Sequence, residues 1–404
     1  MYIKKIKLEN FRNYDYEEIE LNEKTNIFFG DNAQGKTNIL ESIFVASLGK
    51  SFRTSREEEL IKENKKIAKI QIDFMKNNRK EKINVEIQDK KKFFINDIPI
   101  KKLSELVGKI NIVLFSPEDI EILRNEPIKR RKFLNIMISQ LRPQYIYLMS
   151  QYKKNLEQRN NYLKQIKFEN KPKENLEIWD EGLVKTGIKI YEYRKEFIEK
   201  INNKIKNIHL NITENKEDIE IKYISDINEK NYLEKLKENQ ENDIIKGYTS
   251  VGVHRDDFKI YINKKNTANY GSQGQQRSSI ISLKLAEAEV IYDEIEEYPV
   301  ILLDDFMSEL DKKRVKGFIK NINKNQVLIT TTEEINLDTM VYNLYKVEKA
   351  KVERIDNDGK IWAWVQSRSN SSFRRIRSCK KKTRYVYRKC ICKRVASFSI
   401  WNSR

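Results

Sequence analysis

An α/β fold interrupted by a helical insertion is the class this sequence predicts, on three observations. An apolar strand at 24–29 runs into Gly30-Asp31-Asn32-Ala33-Gln34-Gly35-Lys36-Thr37 and out into a helix at 38–46. A second apolar run, 300–303, ends in Asp304-Asp305, the pattern of a buried strand that presents carboxylates at its C-terminal edge. Between them, residues 127 to about 207 contain almost no glycine and repeat apolar residues at helical spacing, as at Tyr145, Leu148, Tyr152 and Leu156.

Taken in order, 1–115 reads as alternating strands and short helices. Strands are expected at 67–74, 83–87 and 110–115, with 67–95 an antiparallel meander turning at Asn77-Asn78 and Asp89-Lys90. Ser116-Pro117-Glu118-Asp119 starts a helix: a capping Ser, Pro in the first turn and acids toward the positive end of the dipole. Lys171-Pro172-Lys173 breaks the helical run in two. Helices of roughly 30 residues reach about 45 Å, so 116–214 is expected to form a helical arm. Strands resume at 219–224 and 258–262, which splits the α/β domain into 1–115 and 215–358.

Composition narrows the class. At 404 residues, 39% hydrophobic and 34% charged, the chain can bury a core in two domains. It has no run of 18 apolar residues, which argues against a transmembrane span. Met1 to Glu9 alternates charged and apolar residues as a strand does, unlike a secretory signal, so a cytoplasmic location is expected. The net charge of +19 is uneven: 361–404 holds eight Arg, five Lys and no acid, leaving +6 for the first 360 residues. That modest excess permits nucleic-acid binding without proving it. All three cysteines lie in this tail, and Cys390-Ile391-Cys392 lacks the spacing of a zinc site. The tail prefers Arg and Ser where the body prefers Lys, Asn and Ile. Residues 359–404 are therefore expected to be a disordered or out-of-frame extension, with a genuine basic DNA-binding tail as the alternative.

The chemistry starts at the glycine loop. Gly30 to Thr37 matches the phosphate-loop pattern in full, with strand before and helix after. Backbone N–H groups of Gly30, Asp31, Asn32, Ala33, Gln34 and Gly35 would curl around phosphate, and the helix dipole favours the anion. Lys36 would reach the β- and γ-phosphates, and Thr37 would ligate Mg²⁺. Asp304 would hold Mg²⁺ directly or through water; Asp305 is placed to orient or deprotonate an attacking water. Gly271-Ser272-Gln273-Gly274-Gln275-Gln276-Arg277 is a second polar glycine loop, followed by a helix at 279–296. Read alone, it is a weak signal, and a plain turn is the favoured reading.

With these residues in hand, 1 to about 360 resembles the RecF family of bacterial recombination and repair ATPases, relatives of the ATP-binding heads of ABC transporters and SMC proteins. Asn10-Phe11-Arg12-Asn13-Tyr14, Ser51-Phe52-Arg53-Thr54, Phe115 to Asp119, Arg130 to Leu134 and Gly252-Val253-His254-Arg255-Asp256-Asp257 add to the resemblance. It implies an ABC/SMC-like ATPase head that uses ATP and Mg²⁺. Ser272, Gly274 and Gln275 resemble the signature that touches ATP held by the opposite subunit, so ATP would join two protomers. Ser308-Glu309-Leu310-Asp311 resembles the loop that crosses such an interface. The family binds DNA at single-/double-strand junctions or gaps and works with RecR and RecO to load RecA.

Two departures bear on rate. Asp305 stands where many relatives carry Glu, and Thr330-Thr331-Thr332 stands where related ATPases place a His. Both suit a weak, DNA-dependent ATPase that acts as a switch. For DNA phosphates the first candidates are Lys129, Arg130, Arg131 and Lys132, against an ordinary solvated helix face. His254 reads as a packed interior residue, and Arg255 and Asp256 as possible supports of the nucleotide pocket. An SMC-like tether is disfavoured because no room for a long coiled coil exists between Thr37 and Ser272. A P-loop kinase has no use for Ser272 to Gln276. A purely ATP-gated binding module stays open.

Overall fold

The protein is described by a computed structural model over residues 1–124, 126–214, 216–306, 317–319, 321–332 and 342–355. In chain order the first elements are β1 (Tyr2–Glu9), β2 (Tyr16–Glu20), β3 (Thr25–Phe29), α1 (Lys36–Leu48), β4 (Ala68–Lys76), β5 (Arg79–Ile87), β6 (Lys91–Ile95) and β7 (Ile98–Pro99). Then come α2 (Leu103–Leu106), β8 (Ile112–Phe115), α3 (Glu121–Arg124), α4 (Pro127–Leu141), α5 (Pro143–Glu169) and α6 (Leu176–Ile212). The remainder are β9 (Ile219–Ile224), α7 (Tyr232–Glu238), α8 (Gln240–Lys246), β10 (Asp257–Ile262), β11 (Lys265–Asn266), α9 (Thr267–Tyr270) and α10 (Gln273–Ile295). Last are β12 (Val300–Asp304), β13 (Val327–Thr331), β14 (Tyr342–Glu348) and β15 (Lys351–Ile355).

A six-stranded sheet in the order β15-β14-β3-β13-β12-β8 carries the site. Five of its strands run parallel, and β15 adds an antiparallel edge. Both faces are covered, so neighbours in sequence divide between two cores. Ile27, Val113, Ile301, Leu303 and Ile329 join a core with α4, α6 and α10. Phe28, Ile112, Val300, Leu302 and Leu328 join another with α1 and the antiparallel sheet β2-β1-β4-β5-β6-β7.

The hairpins of that sheet turn as their sequences demand. Asn77 and Asn78 have φ of 48° and 57°, and Asn96 and Asp97 have 50° and 67°. Two consecutive positive-φ residues match the right-handed strand twist, and Asn and Asp tolerate that region best. The meander and the Asn77-Asn78 turn are as expected from the sequence. Ser116 and Asp119 form a capping box.

The arm differs from expectation in its packing. Helices of 27 and 37 residues, α5 and α6, do pair. They share the sheet's own core, however, and only Leu163, Ile166, Leu176 and Ile244 make a small separate one. Met1–Ile355 is accordingly one compact unit, and 116 and 214 mark no break in it. The expected tail at 359–404 and the loop Ser308 to Asp311 lie outside the described residues.

Buried charge ties this helical layer down. Arg159, fully buried on α5, donates to Asp180 at 2.6 Å and to Asp243 at 2.7 Å. Arg194 on α6 donates to the Val253 carbonyl at 2.6 Å and to Asp256 at 3.0 Å. Asp256 also accepts from Tyr223 and Ser225, so its carboxylate holds the helices to β9 and is occupied there. His254 is an interior residue, as read: Nδ1 pairs with the Tyr152 hydroxyl at 2.8 Å and Nε2 with the Thr249 carbonyl at 3.1 Å.

Burial pushes the His254 pKa down to about 4. An unfolded His titrates near 6.5, so between pH 6.5 and 4 the unfolded chain binds more protons, and stability falls as pH falls through that window. The loss from pH 7 to pH 5 is about 2 kcal/mol. His254→Gln should flatten the pH dependence of the urea unfolding free energy by that amount; an unchanged slope would show that His254 is protonated inside the fold.

Candidate functional site

The phosphate loop follows from three backbone constraints. Gly30 has φ of 151°, and a Cβ there would lie 2.2 Å from the Val347 carbonyl of β14. Gly35 has φ of 116°, and a Cβ would press on Asn13 and the Tyr14 hydroxyl at 2.8 Å. Ala33, at φ 63°, completes the curl. Gly35 is also the N-cap of α1 and offers no side-chain cap. The first turn of that helix thus aims free N–H groups into the loop's concavity, the geometry that binds phosphate.

Lys36 points into the same concavity. Its ammonium donates to the carbonyls of Gly30 at 2.6 Å and Asp31 at 2.7 Å. Burial lowers its pKa, while Asp305, Asp31 and Asp304 pull the other way. Three carboxylates within electrostatic reach of one buried lysine set a field suited to a cation–phosphate assembly.

Asp304 ends β12 opposite α1, and its Oδ1 accepts from the Thr37 hydroxyl at 2.8 Å across 267 residues of sequence. It also accepts from Thr330 at 2.8 Å. Burial raises its carboxyl pKa; the Thr37 and Thr330 hydroxyls lower it. Asp305 has φ of 49°, and its N–H donates to Thr330 Oγ1 at 3.0 Å. The Thr330 hydroxyl sits inside β13 and is taken up by the two aspartates.

Among the described residues no cluster of three or more His, Cys, Asp or Glu is arranged to hold a metal by itself. Thr37 Oγ1 and Asp304 Oδ1 are adjacent hard oxygen donors. They suit Mg²⁺, which takes few protein ligands and completes its shell with phosphate and water.

The sequence did not reveal what braces the loop. Glu41 is fully buried on α1 and accepts from Arg12 Nε at 2.8 Å and Nη2 at 2.7 Å, plus the Ser51 hydroxyl at 2.5 Å. Arg53 lies 3.6 Å from the same carboxylate and donates to Asn38 at 2.8 Å. Asn13 and Tyr14 donate to the carbonyls of Gln34 and Gly35. Two family segments thus converge on the back of the phosphate loop. Only spatial proximity shows it; Glu41 by itself looks like any helix glutamate.

Ser272 is exposed and N-caps α10. Its Oγ accepts from Gln275 N at 3.2 Å, and Gln275 Oε1 accepts from Ser272 N at 2.9 Å, a complete capping box. Gln276 turns inward, its amide nitrogen toward the carbonyls of Thr267, Ala268 and Gly271. Ser272, Gly274 and Gln275 therefore present a rigid helix N-terminus at the surface.

The basic run on α4 does not form one face. Arg130 is buried, donating to Asp257 at 2.5 Å and to the Ile122 carbonyl at 3.0 Å. Arg131 donates to the Asp256 carbonyl at 2.8 Å. Arg130 is corrected as a DNA candidate, because its donors are used inside the protein; Arg131 spends one N–H there and stays partly exposed. Lys129 is paired with Glu121 at 2.5 Å, and Lys132 is exposed.

A family model described as the RecF/RecN/SMC N terminal domain matches residues 2–355. The DNA replication and repair protein RecF of Clostridium tetani is 44% identical over 365 residues, covering 87% of this chain and 99% of that one. Its namesake from Clostridium botulinum is 44% identical over 367 residues, 88% of this chain and 100% of the relative. The solved structure of the recombination mediator protein RecF with ATP, of the RecFOR pathway, aligns at a TM-score of 0.81 and 36% identity, over 88% of this chain and 98% of that one. An Smc head domain from Pyrococcus furiosus aligns at a TM-score of 0.54 and 17% identity, a likeness of fold.

Proposed function

The chain belongs to the RecF family, an ABC/SMC-like ATPase group, and on that premise we propose that it is an ATP-dependent DNA-binding protein of recombinational repair and replication-fork maintenance. ATP would be held by Gly30 to Thr37 and would join two copies of the chain. The dimer would bind gapped or single-/double-strand-junction DNA and, with RecR and RecO, promote RecA loading. Slow hydrolysis would release it.

The observation that carries this reading is the meeting of Lys36, Thr37 and Asp304 at one sheet edge, with Thr37 Oγ1 2.8 Å from Asp304 Oδ1. In that arrangement Lys36 and the loop N–H groups bind and orient the phosphates. Thr37 and Asp304 would hold Mg²⁺, which supplies charge neutralisation for phosphoryl transfer. Asp305, fixed through Thr330, orients the attacking water. The short reach of an aspartate in a left-handed backbone position supports a weak ATPase that times a clamp. The exposed, fully capped turn at Ser272 supports completion of each site by a second copy, since its helix N-terminus is suited to an anion. Lys132 is the basic-run residue best placed to meet DNA phosphate.

Sizing the protein by light scattering, with and without ATP and gapped DNA, tests the reading. Monomers without ATP, dimers with ATP and a larger complex with ATP plus DNA are expected. In the same experiment Asp305→Asn should hold the ATP dimer for at least tenfold longer. An unchanged size in ATP would overturn the proposal, and faster hydrolysis by Asp305→Asn would overturn the role given to that carboxylate.

A further inference from the structure

The long helix α6 runs antiparallel along α10. Lys200 pairs with Glu294 at 2.5 Å, Lys204 with Asp293 at 2.6 Å, and His209 Nδ1 with Ser282 Oγ at 2.9 Å. As numbers rise on one helix they fall on the other. The series ends just past α6, where Glu217 Oε1 accepts from Gln275 Nε2 at 3.0 Å. From Glu294 to Gln275 this strap spans about 28 Å of α10 at 1.5 Å per residue.

We infer that Glu217, backed by His209, is a positioning residue for the turn at Ser272, an inference that rests on that turn being half of a composite ATP site. A carboxamide has one acceptor and a donor group at its other end. Gln275 spends the acceptor on Ser272 N–H and a donor on Glu217. Held at both ends, it cannot flip, and the capping box keeps one geometry. The other Glu217 oxygen is buried 3.3 Å from His209 Nε2, a packing contact without the alignment of a hydrogen bond. His209 is fully buried on α6 against α10, so the inner oxygen of the partly exposed carboxylate packs on the helical layer. Removing Glu217 frees the Gln275 side chain to rotate, and the Ser272 N–H loses its fixed acceptor. The phosphate loop, braced by Arg12, Glu41 and Ser51, is untouched.

The test uses the full chain in three variants, with ATP as the probe. Dimerisation is followed by sedimentation, and ATP affinity is measured at protein concentrations where only monomer exists. Glu217→Ala loses one hydrogen bond per site, about fivefold, and so roughly 25-fold in the dimer dissociation constant for two sites. Its monomer should bind ATP within about twofold of the unaltered chain. Glu217→Gln keeps an acceptor toward Gln275 and should restore dimerisation to within about threefold. Dimerisation of Glu217→Ala at the unaltered strength, Glu217→Gln as weak as Glu217→Ala, or an equal loss of monomer ATP affinity would each overturn the inference. Ser272→Arg separates the two levels. If it blocks dimers while Glu217→Ala does not, the positioning role alone falls. If Ser272→Arg dimerises normally, the composite-site reading falls with it.

Discussion

Lys36→Ala should abolish ATP-driven dimerisation and the retention of DNA that depends on it. The structure places the ammonium inside the loop's concavity, within 2.6–2.7 Å of two loop carbonyls. Two charge-assisted hydrogen bonds from the ammonium to phosphate oxygens, at about 1.5–3 kcal/mol each, would correspond to a loss of roughly 10²- to 10⁴-fold in ATP affinity. The fold should survive, because Lys36 packs against backbone and lies outside both apolar cores. Calorimetric titration with ATP, beside a thermal melt, checks both halves. Unchanged dimerisation in ATP by a folded Lys36→Ala protein would remove the nucleotide assignment.

Ser272→Arg should separate ATP binding from assembly. Ser272 caps α10 and touches no residue of its own phosphate loop through a hydrogen bond; its partner is Gln275. The substitution removes a cap worth about 1 kcal/mol and sets a long cation against the positive end of the helix dipole. Local loosening of α10 is the expected structural cost, with most of the helix held by its buried face. ATP affinity of the monomer should stay within about twofold, since Gly30 to Thr37 is braced from the opposite side by Glu41. Dimers in ATP should disappear. Light scattering that still detects them would show that the turn does not complete a site in the partner.

Local pattern carried much of this protein into view. The loop from Gly30 to Thr37 was legible because backbone geometry close in sequence requires Gly30 and Gly35, with the expected strand before it and helix after. Val300 to Leu303 announced a buried strand because both sheet faces are covered. What stayed hidden are pairings between distant residues. Arg130 reads as a surface cation until Asp257, 127 residues later, claims it. Thr330 reads as a strand-end hydroxyl until β13 extends to Thr331 and brings it against Asp304. The helical arm read as a lobe because helical periodicity reports which face is apolar and not what that face covers. Glu217 and His209 carry no local signal at all.

Strand β3, which leads into the phosphate loop, is flanked on one side by β13 and on the other by β14. Both neighbours come from residues beyond 326, and Val347 of β14 forms the seat on which Gly30 rests. During synthesis the loop thus emerges among the first forty residues yet has no sheet to join until some three hundred more have left the ribosome. Pairing of this sequence separation is slow and leaves an unfinished strand edge exposed meanwhile. A polypeptide released before residue 342 lacks the wall that shapes its nucleotide pocket. Prematurely terminated copies are therefore expected to be inert toward ATP.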